Sequence, residues 1–357
     1  MKRILTVVGA RPQFIKAAAV HRALVEREVD EVLVHTGQHY DDAMSAVFFR
    51  DLDLPAPAID LGVGSGTHAT QTAAMLIGLE RAVEARAPEL ILTYGDTNST
   101  LAGALVAAKA AVPLAHVEAG LRSFRPGMAE EVNRVVTDRL SQLLFCPTAS
   151  AVAQLASEGQ TDGVHLVGDV MYDSFCHARD RANPSDAVAR RGVEPGAFVL
   201  ATVHRAENTE DPRRLAGIFD GLAAVAATID VVLALHPRTR GALDRAGIVV
   251  SPGIRVIEPL PYFESIDLIL ASSAVVTDSG GLQKEAYFAG VPCVTTRSET
   301  EWNETLVDGW NRLVDADPAA IAAATAAAID RPPGRPSTDE FGAGDAGQRI
   351  AELLANA

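Results

Sequence analysis

Short apolar runs recur along the chain at Ile4–Val8, Glu31–His35, Leu90–Thr93, Leu114–Val117, Leu143–Cys146 and Val164–Val167, with helical patterns between most of them. The runs are continuous rather than alternating, which marks strands covered on both faces. Repeated strand and helix in this order predicts βαβ units, a parallel sheet and right-handed crossovers. After Asp173 the pattern breaks into the charged, turn-rich stretch Arg179 to Asp186. It resumes at Phe198–Thr202, Val231–Leu235, Val256–Ile257, Ala274–Thr277 and Cys293–Thr295. The boundary is expected between Asp173 and Gly196, giving a first domain over residues 1–175 and a second over 176–357. Gly347 to Leu354 reads as a short amphipathic helix that either domain could receive. Two doubly wound α/β domains would leave a cleft, with ligands held outside the carboxyl ends of the strands.

A length of 357 residues exceeds what one hydrophobic core usually serves, and 48% hydrophobic with 22% charged residues is a globular composition. The formal charge of −15 argues against nucleic-acid and anionic-membrane partners, which are held largely by Lys and Arg. Cys146, Cys176 and Cys293 are far apart and form no CxxC pair, which fits a reducing cytoplasm. Arg11 cuts short the apolar run that follows Met1-Lys2-Arg3, so a first buried strand is expected there rather than a signal peptide. The Ala-rich stretch Leu101 to Val112 is too short to span a bilayer.

Two strand-to-helix turns carry the chemistry. Gly9-Ala10-Arg11-Pro12 leads to Lys16, and Thr277-Asp278-Ser279-Gly280-Gly281 leads to Glu285. Backbone N–H groups at a helix N-terminus point toward an anion, and Arg with Lys suits a diphosphate. Glu285 is placed to accept from ribose hydroxyls. Asp96 follows one strand, either as a helix cap or as a site carboxylate. Glu118 closes Leu114–Val117, where a carboxylate has few structural reasons to stand. Glu130 and Glu131 open a helix expected to run to about Leu144. At most one of them faces a given site, and a Glu130–Arg134 ion pair at i,i+4 is the structural account. His204 and His236 end two further strands.

Together Gly9 to Pro12, Gly95-Asp96-Thr97, His116 to Arg122, Glu130 to Arg134, His204-Arg205 and Thr277 to Gly281 resemble the non-hydrolysing UDP-N-acetylglucosamine 2-epimerases along nearly the whole chain. The resemblance implies a GT-B arrangement of two Rossmann-like domains, usually a homodimer, interconverting UDP-N-acetylglucosamine and UDP-N-acetylmannosamine. It also implies that Arg11, Lys16, His204, Ser279, Gly280, Gly281 and Glu285 hold UDP, while Asp96, Glu118 and Glu130 are the acid/base candidates. His204 is kept among the catalytic candidates as well.

Some positions depart from the family. Gln13 stands for a frequent Glu, Leu260 and Ser265 for a Gln and a Phe, and Trp302 for an Arg. With Gln13 to Lys16 and Leu121 to Phe124, these resemble a subgroup that includes epimerases of UDP-2,3-diacetamido-glucuronic acid. The segment after Gln38-His39 differs from that of allosterically activated members, so activation by substrate is not expected.

The C-2 hydrogen of an N-acetylhexosamine has no adjacent carbonyl, so direct deprotonation has no enolate to stabilise it. The resemblance implies elimination of UDP to 2-acetamidoglucal and re-addition, with no cofactor and no metal. Proton transfer on two faces of C-2 needs two groups or one mobile one, and clustered carboxylates push one pKa upward so that an acid and a base coexist. A GT-B glycosyltransferase, a hydrolysing relative and a non-catalytic nucleotide-sugar sensor are the competing readings.

Overall fold

A computed structural model describes residues 2–38, 49–125, 127–334 and 336–356. The segment set apart by sequence after Gln38, beginning at His39, lies outside the described residues. Two compact units are formed, residues 1–176 with 338–357, and residues 177–337.

The first unit holds a seven-stranded parallel sheet of β1 (Arg3–Val8), β2 (Asp30–His35), β3 (Ile59–Asp60), β4 (Leu90–Tyr94), β5 (Leu114–Val117), β6 (Leu143–Cys146) and β7 (Val164–Leu166), in the order β3-β2-β1-β4-β5-β6-β7. Leu5, Val7, Val34 and Ile91 pack with Met75, Leu79, Ala104 and Ala107 of the helices covering one face. The helix Ala346–Asn356 belongs to this unit. Gly347 lies against the Ala19 carbonyl, and Asp173 accepts from the N–H groups of Ala346 (3.1 Å) and Gly347 (2.7 Å).

The second unit repeats the plan with six parallel strands, β8 (Phe198–Val203), β9 (Asp230–Leu235), β10 (Ile254–Ile257), β11 (Ala274–Thr277), β12 (Cys293–Thr295) and β13 (Asn311–Leu313), in the order β10-β9-β8-β11-β12-β13. In each sheet the chain lays strands to one side of its first strand and then crosses to the other. The strand order therefore reverses between β1 and β4, and again between β8 and β11. Loops diverge at such switch points and leave a crevice outside the strand ends.

The helix opening at Ala129 stops at Leu140, short of the expected Leu144, because Leu143 to Cys146 pair with β5 as β6. Strands β3 and β13 escape the apolar pattern because Ile59–Asp60 and Asn311–Leu313 are only two and three residues long and largely polar.

Candidate active site

At the first switch point Gly9 has no room for a side chain. A Cβ there would lie 2.0 Å from Thr36 Oγ1 and 2.2 Å from Ser99 Oγ. Gln13, 1% exposed, ties the crevice together. Its Oε1 accepts from the N–H groups of Gly9 (2.8 Å) and Ala10 (3.1 Å), and its Nε2 donates to the Tyr94 carbonyl at the end of β4 (2.8 Å). Two backbone donors just ahead of the helix are thus spent on Gln13. Arg11 stands half-buried at the head of the helix Arg11–Glu26. A Glu in place of Gln13 could not donate to the Tyr94 carbonyl while ionised.

Lys16 is buried and its Nζ donates to Glu118 Oε2, with side chains only 9% and 7% exposed. Gly95 makes room for this pair. Its φ is +61°, and a Cβ would lie 3.0 Å from Lys16 Nζ and 3.1 Å from Glu118 Oε2. Glu118 itself holds a φ of +76°, a conformation that L side chains avoid and that clusters at functional sites. Asp96 is not the helix cap. Thr97 caps the helix Asn98–Ala110, and the Asp96 carboxylate accepts from Arg134 Nη2 at 2.6 Å.

The helix Ala129–Leu140 is inverted in polarity. Glu131, Asn133, Arg134, Thr137 and Asp138 are buried, while Val132 and Val135 are 47% and 44% exposed. Arg134 pairs with Glu131 (3.0 Å) and Asp96, so the expected Glu130–Arg134 pair is replaced by an i,i+3 pair that leads to the site. Glu131 accepts from the N–H groups of Ser123 and Phe124, both at 2.9 Å. Burial pushes its carboxyl up, but the Ser123, Arg134 and Phe124 donors outweigh that and hold it below the usual range. Glu130 sits half-buried on the first turn beside it.

Behind the Glu118 turn lies a second buried network. The ring of His116, the one imidazole of β5, meets Asp138 Oδ1 through Nδ1 and the Gly95 carbonyl through Nε2, both at 2.7 Å. Asp138 Oδ2 accepts from Gly120 N (3.1 Å) and from Arg122 Nη1 (2.7 Å), and Arg122 also forks onto Glu158. Burial pushes the Asp138 carboxyl up, while His116 and Arg122 more than offset it. The loops carrying Asp96 and Glu118 are thus pinned to one buried carboxylate. A lone His in an otherwise apolar strand, and Glu131, Arg134 and Asp138 at helical spacing, are the signals in sequence that could have found this network.

In the second unit Asp278 plays the part that Gln13 plays in the first. Fully buried at the end of β11, it accepts from the N–H groups of His204 (3.0 Å) and Arg205 (2.9 Å) across the switch point, and from Asn208 Nδ2 (3.0 Å). His204 is 38% exposed with its ring 5.9 Å from that of His236, whose Nδ1 caps its own helix by accepting from Arg238 N. Ser279 caps the helix Gly280–Ala289 by accepting from Leu282 N, and its own N–H goes to Thr277 Oγ1 (2.9 Å). The N-terminus of this helix lies beside Arg205 Nη2 and Trp302 Nε1, 3.7 and 3.4 Å from where a Gly280 Cβ would stand. Glu285 is buried farther along the helix. Lys284, 1% exposed, places its ammonium 3.5 Å from the centroid of the Trp302 ring, so the residue standing for an Arg serves as the face of a cation–π pair.

A family model described as UDP-N-acetylglucosamine 2-epimerase matches residues 22–355. The chain belongs to that family. It is 46% identical over 361 residues to the UDP-2,3-diacetamido-2,3-dideoxy-D-glucuronate 2-epimerase of Pseudomonas aeruginosa, covering 99% of both. To a UDP-N-acetylglucosamine 2-epimerase of Methanocaldococcus jannaschii it is 37% identical, over 99% of this chain and 98% of the relative. The crystal structure of the M. jannaschii UDP-GlcNAc 2-epimerase in complex with UDP-GlcNAc and UDP matches with a TM-score of 0.92 at 36% identity, each chain covered completely. The chain is therefore an epimerase, an isomerase-class enzyme, with two Rossmann-like α/β domains of the GT-B type. Among the described residues no helix is long and apolar enough to cross a membrane, and no group of three or more His, Cys, Asp or Glu is placed to hold a metal ion.

Proposed function

We propose that this family member inverts C-2 of UDP-N-acetylglucosamine to give UDP-N-acetylmannosamine. The observation that carries the reading is a pair of carboxylates at one strand-end crevice, Asp96 held by Arg134 and Glu118 held by Lys16. A base removes the C-2 proton as the C-1–oxygen bond breaks, its electron pair leaving with UDP. The product, 2-acetamidoglucal, is protonated at C-2 from the opposite face while UDP returns to C-1. Asp96, Glu118 and Glu130 share the two proton transfers, and His204 supports the departing nucleotide. Arg11, Lys16, Ser279, the Gly280 and Gly281 amides and Glu285 bind UDP, with the cations and amides stabilising charge that grows on the diphosphate. Lys16 serves both roles in this reading, because the ammonium that neutralises Glu118 stands in the helix that Arg11 begins. The enzyme works as a cytoplasmic homodimer.

A second reading, C-2 inversion of UDP-2,3-diacetamido-2,3-dideoxyglucuronate, is favoured by the 46% identity to the P. aeruginosa relative. Both substrates share the C-2 chemistry and differ at C-3 and C-6. Proton NMR in deuterated water tests both, each UDP-sugar being incubated with the protein alone. Deuterium at C-2 in an epimer mixture supports the reading for that substrate, no exchange on either refutes it, and free sugar with UDP indicates hydrolysis. Asp96→Asn, Glu118→Gln and Glu130→Gln are expected to keep UDP affinity within about tenfold while losing most turnover.

A further inference from the structure

The loop between Glu118 and Glu130 ends in a feature the fold does not reward. Phe124 is 72% exposed, the most exposed phenylalanine among the described residues, and its φ is +56°. A bulky side chain in left-handed backbone is a true outlier, and it persists only where the surroundings over-determine it. Here they do. Glu131 Oε1 accepts from Phe124 N (2.9 Å), and Glu131 Oε2 accepts from Ser123 N (2.9 Å) and Ser123 Oγ (3.0 Å). Arg134 Nη1 donates to that Ser123 Oγ at 3.1 Å and to Glu131 at 3.0 Å. On the other side of the loop tip, Leu121 is buried and the Arg122 guanidinium is fixed between Asp138 and Glu158. The buried Glu131 carboxylate, backed by Arg134, thus fixes the backbone that holds one apolar ring out in solvent.

The same Arg134 reaches Asp96 at 2.6 Å, so the loop and an acid/base candidate share one anchor. Clamping an exposed ring in strained backbone, on a loop that shares its anchor with such a group, is pre-organisation for a ligand.

We infer that Phe124 is a specificity-determining contact for the sugar of the UDP-sugar, its ring covering the apolar face of the 2-acetamidohexose around C-2 and the acetamido methyl. The inference rests on the functional reading above. The ring adds affinity for the sugar and none for UDP, and it touches no transferred proton.

The test compares wild type with Phe124→Ala, Phe124→Gly and Phe124→Tyr, using the C-2 exchange assay for kinetics and calorimetric titration with UDP alone. Phe124→Ala is expected to lower kcat/KM by about tenfold or more, chiefly through KM, with the Kd for UDP unchanged within about twofold. Glycine accepts positive φ, so Phe124→Gly should melt higher than Phe124→Ala yet be equally impaired. Phe124→Tyr keeps the ring and should stay within about threefold of wild type. Alanine and glycine variants that retain wild-type kcat/KM, or that lose UDP affinity in step, overturn the inference alone. A wild-type protein that exchanges C-2 of neither UDP-sugar overturns the functional reading, and the inference with it.

Discussion

Lys16→Met tests whether the ion pair at the heart of the site is coupled as its burial implies. With side chains 9% and 7% exposed, removing one partner takes a counter-ion from a charge that is shielded from water. Breaking such a pair costs about 3–5 kcal/mol, whereas replacing both members by neutral groups of similar shape is often close to neutral. For a domain of this size about 2–4 °C of Tm follows each kcal/mol, so Lys16→Met should lower the transition of the first unit by ~6–20 °C. Glu118→Gln should destabilise as well, because it strands the ammonium. The double variant Lys16→Met/Glu118→Gln should recover most of the loss. Differential scanning calorimetry on the four proteins closes the cycle, with a coupling of about 2 kcal/mol or more expected between residues in contact. A single Lys16→Met that melts within about 2 °C of wild type, or a double variant as unstable as the sum of the singles, would refute the reasoning.

Three further outcomes follow from particular contacts. Burial raises the Asp173 carboxyl to about 6, against the Gly347 and Ala346 donors, so the folded state binds its proton more tightly than the unfolded chain. Its contribution is complete below about pH 4 and is lost as pH rises through about 6, up to ~3 kcal/mol in all; a urea series at stepped pH should show that slope in wild type and not in Asp173→Asn. Gly95→Ala places a methyl against Lys16 and Glu118 in left-handed backbone, so C-2 exchange should fall by about a hundredfold or more; near-normal exchange would show that the pair tolerates displacement. Trp302→Leu removes the ring under the buried Lys284 ammonium and should cost the second unit about 2 kcal/mol in urea unfolding, with Trp302→Phe losing less.

The strands were legible because a parallel sheet covered on both faces demands unbroken apolar runs, and β5 and β11 fall on the residues the pattern marks. Strands β3 and β13 were not legible: Ile59–Asp60 and Asn311–Leu313 are too short and too polar to form an apolar run. Glu118 could be singled out because a carboxylate that closes a buried strand has few structural reasons to stand there, whereas Asp96 could equally have been a helix cap. Their partners could not, since pairing Lys16 with Glu118 requires knowing that β1 and β5 flank β4. The polar face of the helix Ala129–Leu140 misleads a reader of hydrophobic periodicity, which would bury Val132 and Val135 and expose Arg134. Gln13 looked like a departure at a ligand-facing turn, yet it is an internal tie between two strands, a role that only long-range geometry reveals.

The return of residues 338–357 to the first unit has a consequence for synthesis on the ribosome. The second unit is contiguous from 177 to 337 and can close as soon as it emerges, as domains generally fold as units during translation. The first unit emerges earlier but lacks the helix Ala346–Asn356, whose Gly347 lies against the Ala19 carbonyl and whose N–H groups meet Asp173. Ala19 and Ala23 of the helix Arg11–Glu26 are covered in the finished protein, yet they must wait for more than three hundred later residues before that helix arrives. The part of the chain that carries Asp96, Glu118 and Lys16 is therefore the last to be completed, and a nascent chain halted before residue 338 would present an unfinished first unit beside a finished neighbour in sequence.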